Sequence, residues 1–341
     1  MAYSMPPVRL GIIGAGHLSS RRIYPCLSHL EVELAAVCDL DHDRAERIGR
    51  SFGTETVYTE YRRMLAEIRL DAVIICVGPD MHHRLAIDAL AAGLAVYTEK
   101  PPAIRAVDAL AMLDASRRFG KICMTGFKKR FAPAYRKAKA AIQDASFGAP
   151  TLLSIDYCCG PTYHNDPANP RSQFLLDFCI HIIDLARYLF GEVAEVMARK
   201  KNDTTYAVVL TFRNGALGTL SMTSHRAWDV SCEKVEVTGG PGRFITCANS
   251  VEMLGYATDQ LGATRIHTWH SPSFSTAGAD SLRETGFLGE LEEFVSCVRT
   301  GSEPESSISS AAETMLLYEA IDQAARENRV IALTPHAEVR P

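Results

Sequence analysis

The stretch Val8-Arg9-Leu10-Gly11-Ile12-Ile13-Gly14-Ala15-Gly16-His17-Leu18-Ser19 decides how the chain begins to fold. An apolar run ends in two glycines and leads into a segment of helical periodicity. Gly14 permits a tight turn. Gly16 lets a phosphate group approach the backbone, and Ser19, where a third glycine often stands, is small enough for close helix–strand packing. The pattern is GxGxxS, not the strict GxGxxG, and turn glycines beside a buried strand would read the same. Its surroundings strengthen it. The next apolar run, Glu33–Asp39, ends in a carboxylate. A carboxylate at that strand end accepts hydrogen bonds from ribose hydroxyls and repels a 2′-phosphate. A helix opening after Gly16 would offer free N–H groups and its positive dipole end to phosphates. These residues point to a dinucleotide. Asp39-Leu40-Asp41-His42-Asp43 is acidic and favours NAD, with Arg44 leaving NADP open.

Further apolar runs follow at Ala72–Val77, Leu94–Glu99 and Lys121–Phe127. Segments such as 83–93 and 103–120 have helical periodicity and end at Gly93 and Gly120, the expected place of a C-terminal cap. Strands apolar almost throughout and separated by helices predict a parallel sheet covered on both faces, hence a doubly wound α/β domain. Tyr97-Thr98-Glu99-Lys100-Pro101-Pro102 closes one of these strands. Ligands in such sheets bind beyond the carboxyl ends of the strands. Lys100 is therefore expected at the rim of the cofactor crevice, where an ammonium can polarise a substrate hydroxyl or carbonyl; a surface lysine would read the same way. Pro101 biases Lys100 toward an extended backbone, and Pro102 is expected near the start of the next helix.

After Phe127 the texture changes. A helix is expected over Phe131–Ala145, then strand-like runs at 151–159, 192–201, 205–214, 215–226, 233–239 and 243–248. Asn214-Gly215 is a strong hairpin signal. Short turns between strands predict a largely antiparallel sheet in an α+β domain, with few helices and one face left open for association. Within this half, Leu175–Leu189 (LLDFCIHIIDLARYL) reads as a buried helix carrying Asp177, His181 and Asp184 at i, i+4, i+7. Polar groups satisfied by hydrogen bonds explain such a stripe, and so does an acid/base pair.

The chain has 341 residues, 47% hydrophobic and 22% charged, with a formal net charge of −4. That composition fits a soluble two-domain protein, and the absence of a basic stripe argues against nucleic acid. No apolar run reaches the roughly 18 residues of a membrane span. No secretion signal is expected in Met1–Gly16, so the expected location is cytoplasmic. The ten cysteines form no CxxC and no zinc-type spacing with histidine. Most read as reduced core residues, and no metal site is expected.

Taken in order, the motifs resemble the glucose–fructose oxidoreductase/inositol dehydrogenase/rhizopine-catabolism (Gfo/Idh/MocA) family. GIIGAGHLS (11–19) looks like its opening. The segment 77–103 resembles its Pro-Asn-x-x-His and Glu-Lys-Pro motifs, with Asp80 in place of Asn and His83 at the His position. FKKRFAPAY (127–135), DFCIHIIDLARYLFG (177–191), VEVTGGPGRF (235–244) and the segment 287–321 resemble its later motifs. The resemblance implies a Rossmann NAD(P)-binding domain over 1–126 and an α+β substrate and oligomerisation domain over 127–341, the closing helices packing back on the first. It implies cofactor contacts from Gly14, Gly16, His17, Leu18, Asp39, Val77, Pro79, His83, Glu99 and Lys100. It also implies catalytic roles for Lys100, Asp177 and His181 on a sugar, cyclitol or related polyol, and a homodimer or homotetramer formed through the second sheet. Imidazole suits proton exchange with a hydroxyl near neutral pH, and a carboxylate one turn away can orient it. Arg130, His164, Asn165 and Trp228 are candidate substrate contacts, with Asp166, Arg171, His225, Arg226 and Asp229 nearby in sequence. His267, Trp269 and His270 read as sheet or interface residues, and Asp184 as structural. The chain departs from the family at Cys179, where a glycine is common, and at Gln173–Leu176, bulkier than the usual glycines. Two other functions fit the same motifs: an NAD-dependent glycosidase acting through transient sugar oxidation, and a non-catalytic dinucleotide-binding regulator.

Overall fold

The structure, a computed structural model, describes residues 6–159, 173–225, 232–258, 264–271 and 281–334. Two compact units emerge, Met1–Phe127 with Phe287–Ala312, and Lys128–Gly286 with Glu313–Pro341.

The first unit begins β1 (Val8–Ile13), β2 (Val32–Cys38), α1 (His42–Ser51), β3 (Val57–Tyr58), α2 (Tyr61–Glu67), β4 (Ala72–Ile75), α3 (Pro79–Ala91), β5 (Ala95–Glu99), α4 (Ala106–Phe119) and β6 (Cys123–Gly126). These strands form one parallel sheet in the order β3-β2-β1-β4-β5-β6. The chain leaves β1 for one side and returns on the other at β4, which creates a crevice at their carboxyl ends. Strands β4, β5 and β6 are buried along their whole length. That burial is why their sequences run apolar without alternation. Asp41 caps α1, its side chain accepting from the Arg44 amide, and Pro79 opens α3 at a position where no N–H is needed. Gly93 and Gly120 end α3 and α4 with positive φ. Two local expectations are corrected. Pro102 lies before α4, which opens at Ala106 after an extended Arg105. The segment after the glycines is a π-helical turn, Ser19–Ile23, followed by a 3-10 turn, Tyr24–His29. Pro25, lacking an N–H, cannot continue a regular ladder. The two-residue β3 is too short to leave a pattern in the sequence.

The second unit contains α5 (Pro133–Gln143), β7 (Leu152–Cys158), α6 (Ile180–Phe190), β8 (Val193–Asn202), β9 (Thr205–Phe212), β10 (Leu217–Thr223), β11 (Cys232–Thr238), β12 (Arg243–Ala248), β13 (Glu252–Thr258), β14 (Thr264–His270) and α7 (Ser281–Glu284). α8 (Phe287–Thr300) belongs to the first unit, where it packs on β1 and β6, and α9 (Ile308–Glu327) and β15 (Ile331–Ala332) follow. The nine-stranded sheet runs β14-β13-β12-β11-β7-β10-β9-β8-β15 and is antiparallel except where β7 meets β10. At the β9–β10 hairpin Gly215 has φ +87° and the Asn214 side chain accepts from the Ala216 amide. One face of the sheet packs under α5, α6 and α9 through residues such as Leu153, Ile155, Val208, Leu210, Val235 and Ile321. The other presents Leu152, Met197, Val209, Leu217, Phe244 and Ile266, each 39–61% exposed. Phe244 stacks on Tyr256 there, ring centroids 4.1 Å apart.

Candidate active site

In the first unit the carboxyl end of β1 is built for a close approach. Gly14 has φ +109°, and a Cβ there would meet the Cys76 carbonyl oxygen at 2.1 Å, so no other residue fits. A Cβ at Gly16 would meet nothing within 4 Å, which leaves the space above that turn for a ligand. The Asp39 carboxylate accepts from the Ala15 amide at 2.7 Å and the Asp41 amide at 3.0 Å, tying the glycine turn to the end of β2. Arg44 lies 3.5 Å from Asp39 and donates to Asp41 at 2.9 Å. Two carboxylates thus surround the nearby cation, an arrangement that favours ribose hydroxyls over a 2′-phosphate. His17 and Leu18 are exposed beside the turn. The residues present fit a dinucleotide with a free 2′-hydroxyl.

At the end of β5, Glu99 is buried and its Oε2 accepts from the Lys100 amide at 3.0 Å. The Lys100–Pro101 peptide is cis. Behind it stands a residue passed over in the sequence, His82. It is fully buried, with Nδ1 2.7 Å from the Pro101 carbonyl and Nε2 3.1 Å from the Val77 carbonyl. Burial lowers its pKa to about 4, the two carbonyl contacts opposing the shift, so the ring is neutral near pH 7. A neutral ring carries one N–H, and the shorter contact favours Nδ1. His82 therefore joins the approach to α3, at Val77, to the turn beside Lys100. His83, at the family's motif position, is half-buried, and its Nδ1 has no hydrogen-bond partner among the described residues. Adjacent histidines on one helix look alike in sequence; which one turns inward is decided by packing.

In the second unit the helix read from Leu175 is two pieces, a π turn over Phe174–Phe178 and then α6. The Cys179 amide donates five residues back to Phe174, whereas the Asp177 amide donates four back to Gln173. This wider turn offsets Asp177 from the regular i, i+4 stripe, and such turns recur at functional sites. From Phe174 to Phe190 every residue is buried except Asp177, Phe178 and His181. Asp184, one turn on, is fully buried and takes a two-pronged ion pair from Arg130, 2.8 Å from Nε and 2.5 Å from Nη2. The Thr314 hydroxyl donates to Asp184 and accepts from Arg187, which also pairs with Glu192. The structural role expected for Asp184 is what the geometry gives it.

A glycine turn closed by a buried-strand carbonyl, a ribose-type carboxylate and a lysine at a strand end now stand together in one parallel sheet. Residues 8–127 match the model of the GFO/IDH/MocA oxidoreductase family, NAD-binding Rossmann fold, and residues 139–333 match that family's C-terminal alpha/beta domain. The chain belongs to the GFO/IDH/MocA family. It is an NAD-binding oxidoreductase. Myo-inositol 2-dehydrogenase of Thermotoga maritima is 28% identical, over 96% of this chain and 98% of that protein. D-apiose dehydrogenase of Paraburkholderia graminis is 27% identical, over 94% and 88%. The fold matches that of an Agrobacterium radiobacter oxidoreductase solved with NAD+, L-tartaric acid and magnesium: TM-score 0.85, 20% identity, 95% of this chain and 98% of that one.

Other candidates from the sequence separate within this family frame. His164, Asn165, Asp166, Arg171, Arg226, Trp228 and Asp229 lie outside the described residues. Arg130 commits its guanidinium fork to Asp184. His225 sits 3.1 Å from the Thr204 hydroxyl on the surface, and His270 pairs with Glu252 at 3.3 Å. The Lys137 ammonium lies over the Trp269 ring at 5.6 Å. Among the described residues no group of three or more His, Cys, Asp or Glu side chains could hold a metal ion.

Proposed function

We propose that the enzyme moves a hydride between NAD and the carbinol carbon of a sugar, cyclitol or related polyol, with His181 as general acid/base. The observation that carries this reading is the partial exposure of Asp177 and His181 on a segment otherwise buried from end to end apart from Phe178. Burial without purpose would select apolar side chains there. The relatives named as myo-inositol and D-apiose dehydrogenases support a polyhydroxylated substrate. They give no support to a glycosidase or a regulator.

When bound, the nicotinamide supplies the hydride acceptor. His181 takes the hydroxyl proton, or returns it in the reverse direction. Asp177 orients the imidazole and the substrate hydroxyl, and the Lys100 ammonium stabilises the developing alkoxide charge. His181→Ala and Lys100→Ala should each lower turnover by at least roughly 10²-fold while NAD still binds, as read by steady-state kinetics and a fluorescence titration with NAD. Near-normal turnover in both variants overturns the assignment.

Asp39, with Asp41 holding Arg44, supports NAD over NADP. The apolar residues on the open sheet face support a homodimer or homotetramer formed through it, which light scattering at micromolar concentration tests. Free, mostly buried thiols suit the reducing cytoplasm as the place of work.

A further inference from the structure

Cys158 closes β7 and Cys232 opens β11, and the two residues stand directly opposite each other in antiparallel register. Their Sγ atoms are 3.1 Å apart, and both side chains are half-buried. Alternation along β7 puts Leu152, Ser154, Asp156 and Cys158 on the open face, with Leu153 and Ile155 beneath. Opposed Cα atoms in an antiparallel pair lie about 4.5 or 5.5 Å apart, within the roughly 4.4–6.8 Å that a disulfide spans. Rotation of the two side chains brings the sulfurs to bonding distance while the strands stay paired. Register is held by the next residue. Glu233 faces the opposite side, accepts from Tyr135 and Lys129, and its amide donates to Asn249 Oδ1 at 2.9 Å.

We propose that Cys158 and Cys232 form a reversible dithiol–disulfide site whose oxidant is an anionic low-molecular-weight disulfide of the glutathione type. One thiol, as thiolate, attacks the small disulfide and releases one small thiol. The other thiolate then displaces the second small thiol, closing the Cys158–Cys232 bond. Two protein thiols lose two electrons, the small disulfide gains them, and both S–H protons end on the two released thiols. An excess of the reduced small thiol reverses both steps.

Charge and exposure select this pair. Cys158 lines a cleft of about 610 Å³ together with Asp156, Arg199, Lys200 and Lys201. Lys200 is paired with Asp203 at 2.7 Å, and Arg199 and Lys201 against Asp156 leave a net positive rim that suits an anionic tripeptide disulfide. Burial pushes the thiols of Cys38, Cys123 and Cys247 up to about 12, and those of Cys76 and Cys179 are also raised strongly. Burial raises Cys159 and Cys297 as well. Thiols held protonated are poor nucleophiles. The pair also lies six residues along β7 from Leu152, about 20 Å at ~3.3 Å per residue. It is thus remote from the row Leu152, Leu217, Phe244 and Ile266 of the proposed association face, while Val209 and Met197, in register with Ser154, lie nearer but two and three strands to the side of β7.

The test exposes the full chain to oxidised glutathione, alkylates the remaining thiols, and maps the peptides by mass spectrometry. The expected product is a chain two hydrogens lighter, with one intrachain Cys158–Cys232 crosslink that dithiothreitol removes. Cys159→Ser should keep the crosslink, and Cys232→Ser should instead hold glutathione on Cys158. A Cys158–Cys159 link, a crosslink between two chains, loss of the crosslink in Cys159→Ser, or full alkylation of both cysteines after oxidation would each overturn the proposal.

Discussion

The two sheets of this protein bury their strands by different rules. In the first, β4, β5 and β6 are buried at every position because helices cover both faces. In the second, β9 and β10 alternate strictly, because one face packs on helices and the other meets solvent. The contrast separates where each unit can work. A sheet covered on both faces offers a ligand only its strand ends, and the glycine turn, Asp39 and Lys100 all stand there. A half-covered sheet works through its helical layer, where Asp177 and His181 break a buried segment, and through its open face, where the apolar row and the paired thiols lie.

Substitutions can break this comparison unit by unit. The largest effect is expected in the second unit. Asp184→Asn leaves Arg130 charged and buried without its carboxylate, and should cost about 3–5 kcal/mol in urea unfolding. Pairing Asp184→Leu with Arg130→Met should recover most of that loss, since it removes both charges. In the first unit, Gly14→Ala forces a side chain against the Cys76 carbonyl at a left-handed backbone position and should cost roughly 2–4 kcal/mol. Gly16→Ala meets no atom and should change stability by less than about 0.5 kcal/mol, yet weaken NAD in a binding titration. A loss of stability at Gly16 without loss of NAD binding would show that the turn serves the fold alone.

His82 gives the first unit a pH signature. Folded, it takes up a proton only near pH 4, against about 6.5 for the unfolded chain. Between those values the unfolded chain binds more protons. Its contribution to stability is therefore complete above about pH 6.5, is lost as pH falls toward 4, and levels off below. The loss should be on the order of 3 kcal/mol, and His82→Gln should flatten that part of the pH–stability curve. The smallest stability effect belongs to the open face. Val209→Lys should change chain unfolding by less than about 0.5 kcal/mol while separating an oligomer in light scattering. An oligomer that survives this change associates through another surface.

Much of this was readable in the chain itself. The strand–glycine–helix opening, the carboxylate at Asp39 and the change of texture after Phe127 follow from local pattern, because periodicity and turn chemistry are short-range properties. The family resemblance added Lys100, Asp177 and His181 as a set. Other features could not be read. The two-residue β3 has no period. The π turn at Phe174–Phe178 shares its sequence signature with an α-helix, since both bury the same residues. Arg130 looked like a substrate contact because a lone arginine in a motif does not announce its partner, and Asp184 lies 54 positions away.

By itself the sequence determined two domains of different class, the dinucleotide turn and the polar stripe, because each rests on spacing within a few residues. Tertiary structure decided which of two neighbouring histidines turns inward and which carboxylate of the stripe becomes a buried ion-pair partner. It also decided that cysteines 74 positions apart face each other at 3.1 Å. Those outcomes depend on which distant segments meet, and burial, charge pairing and register act only once they have met.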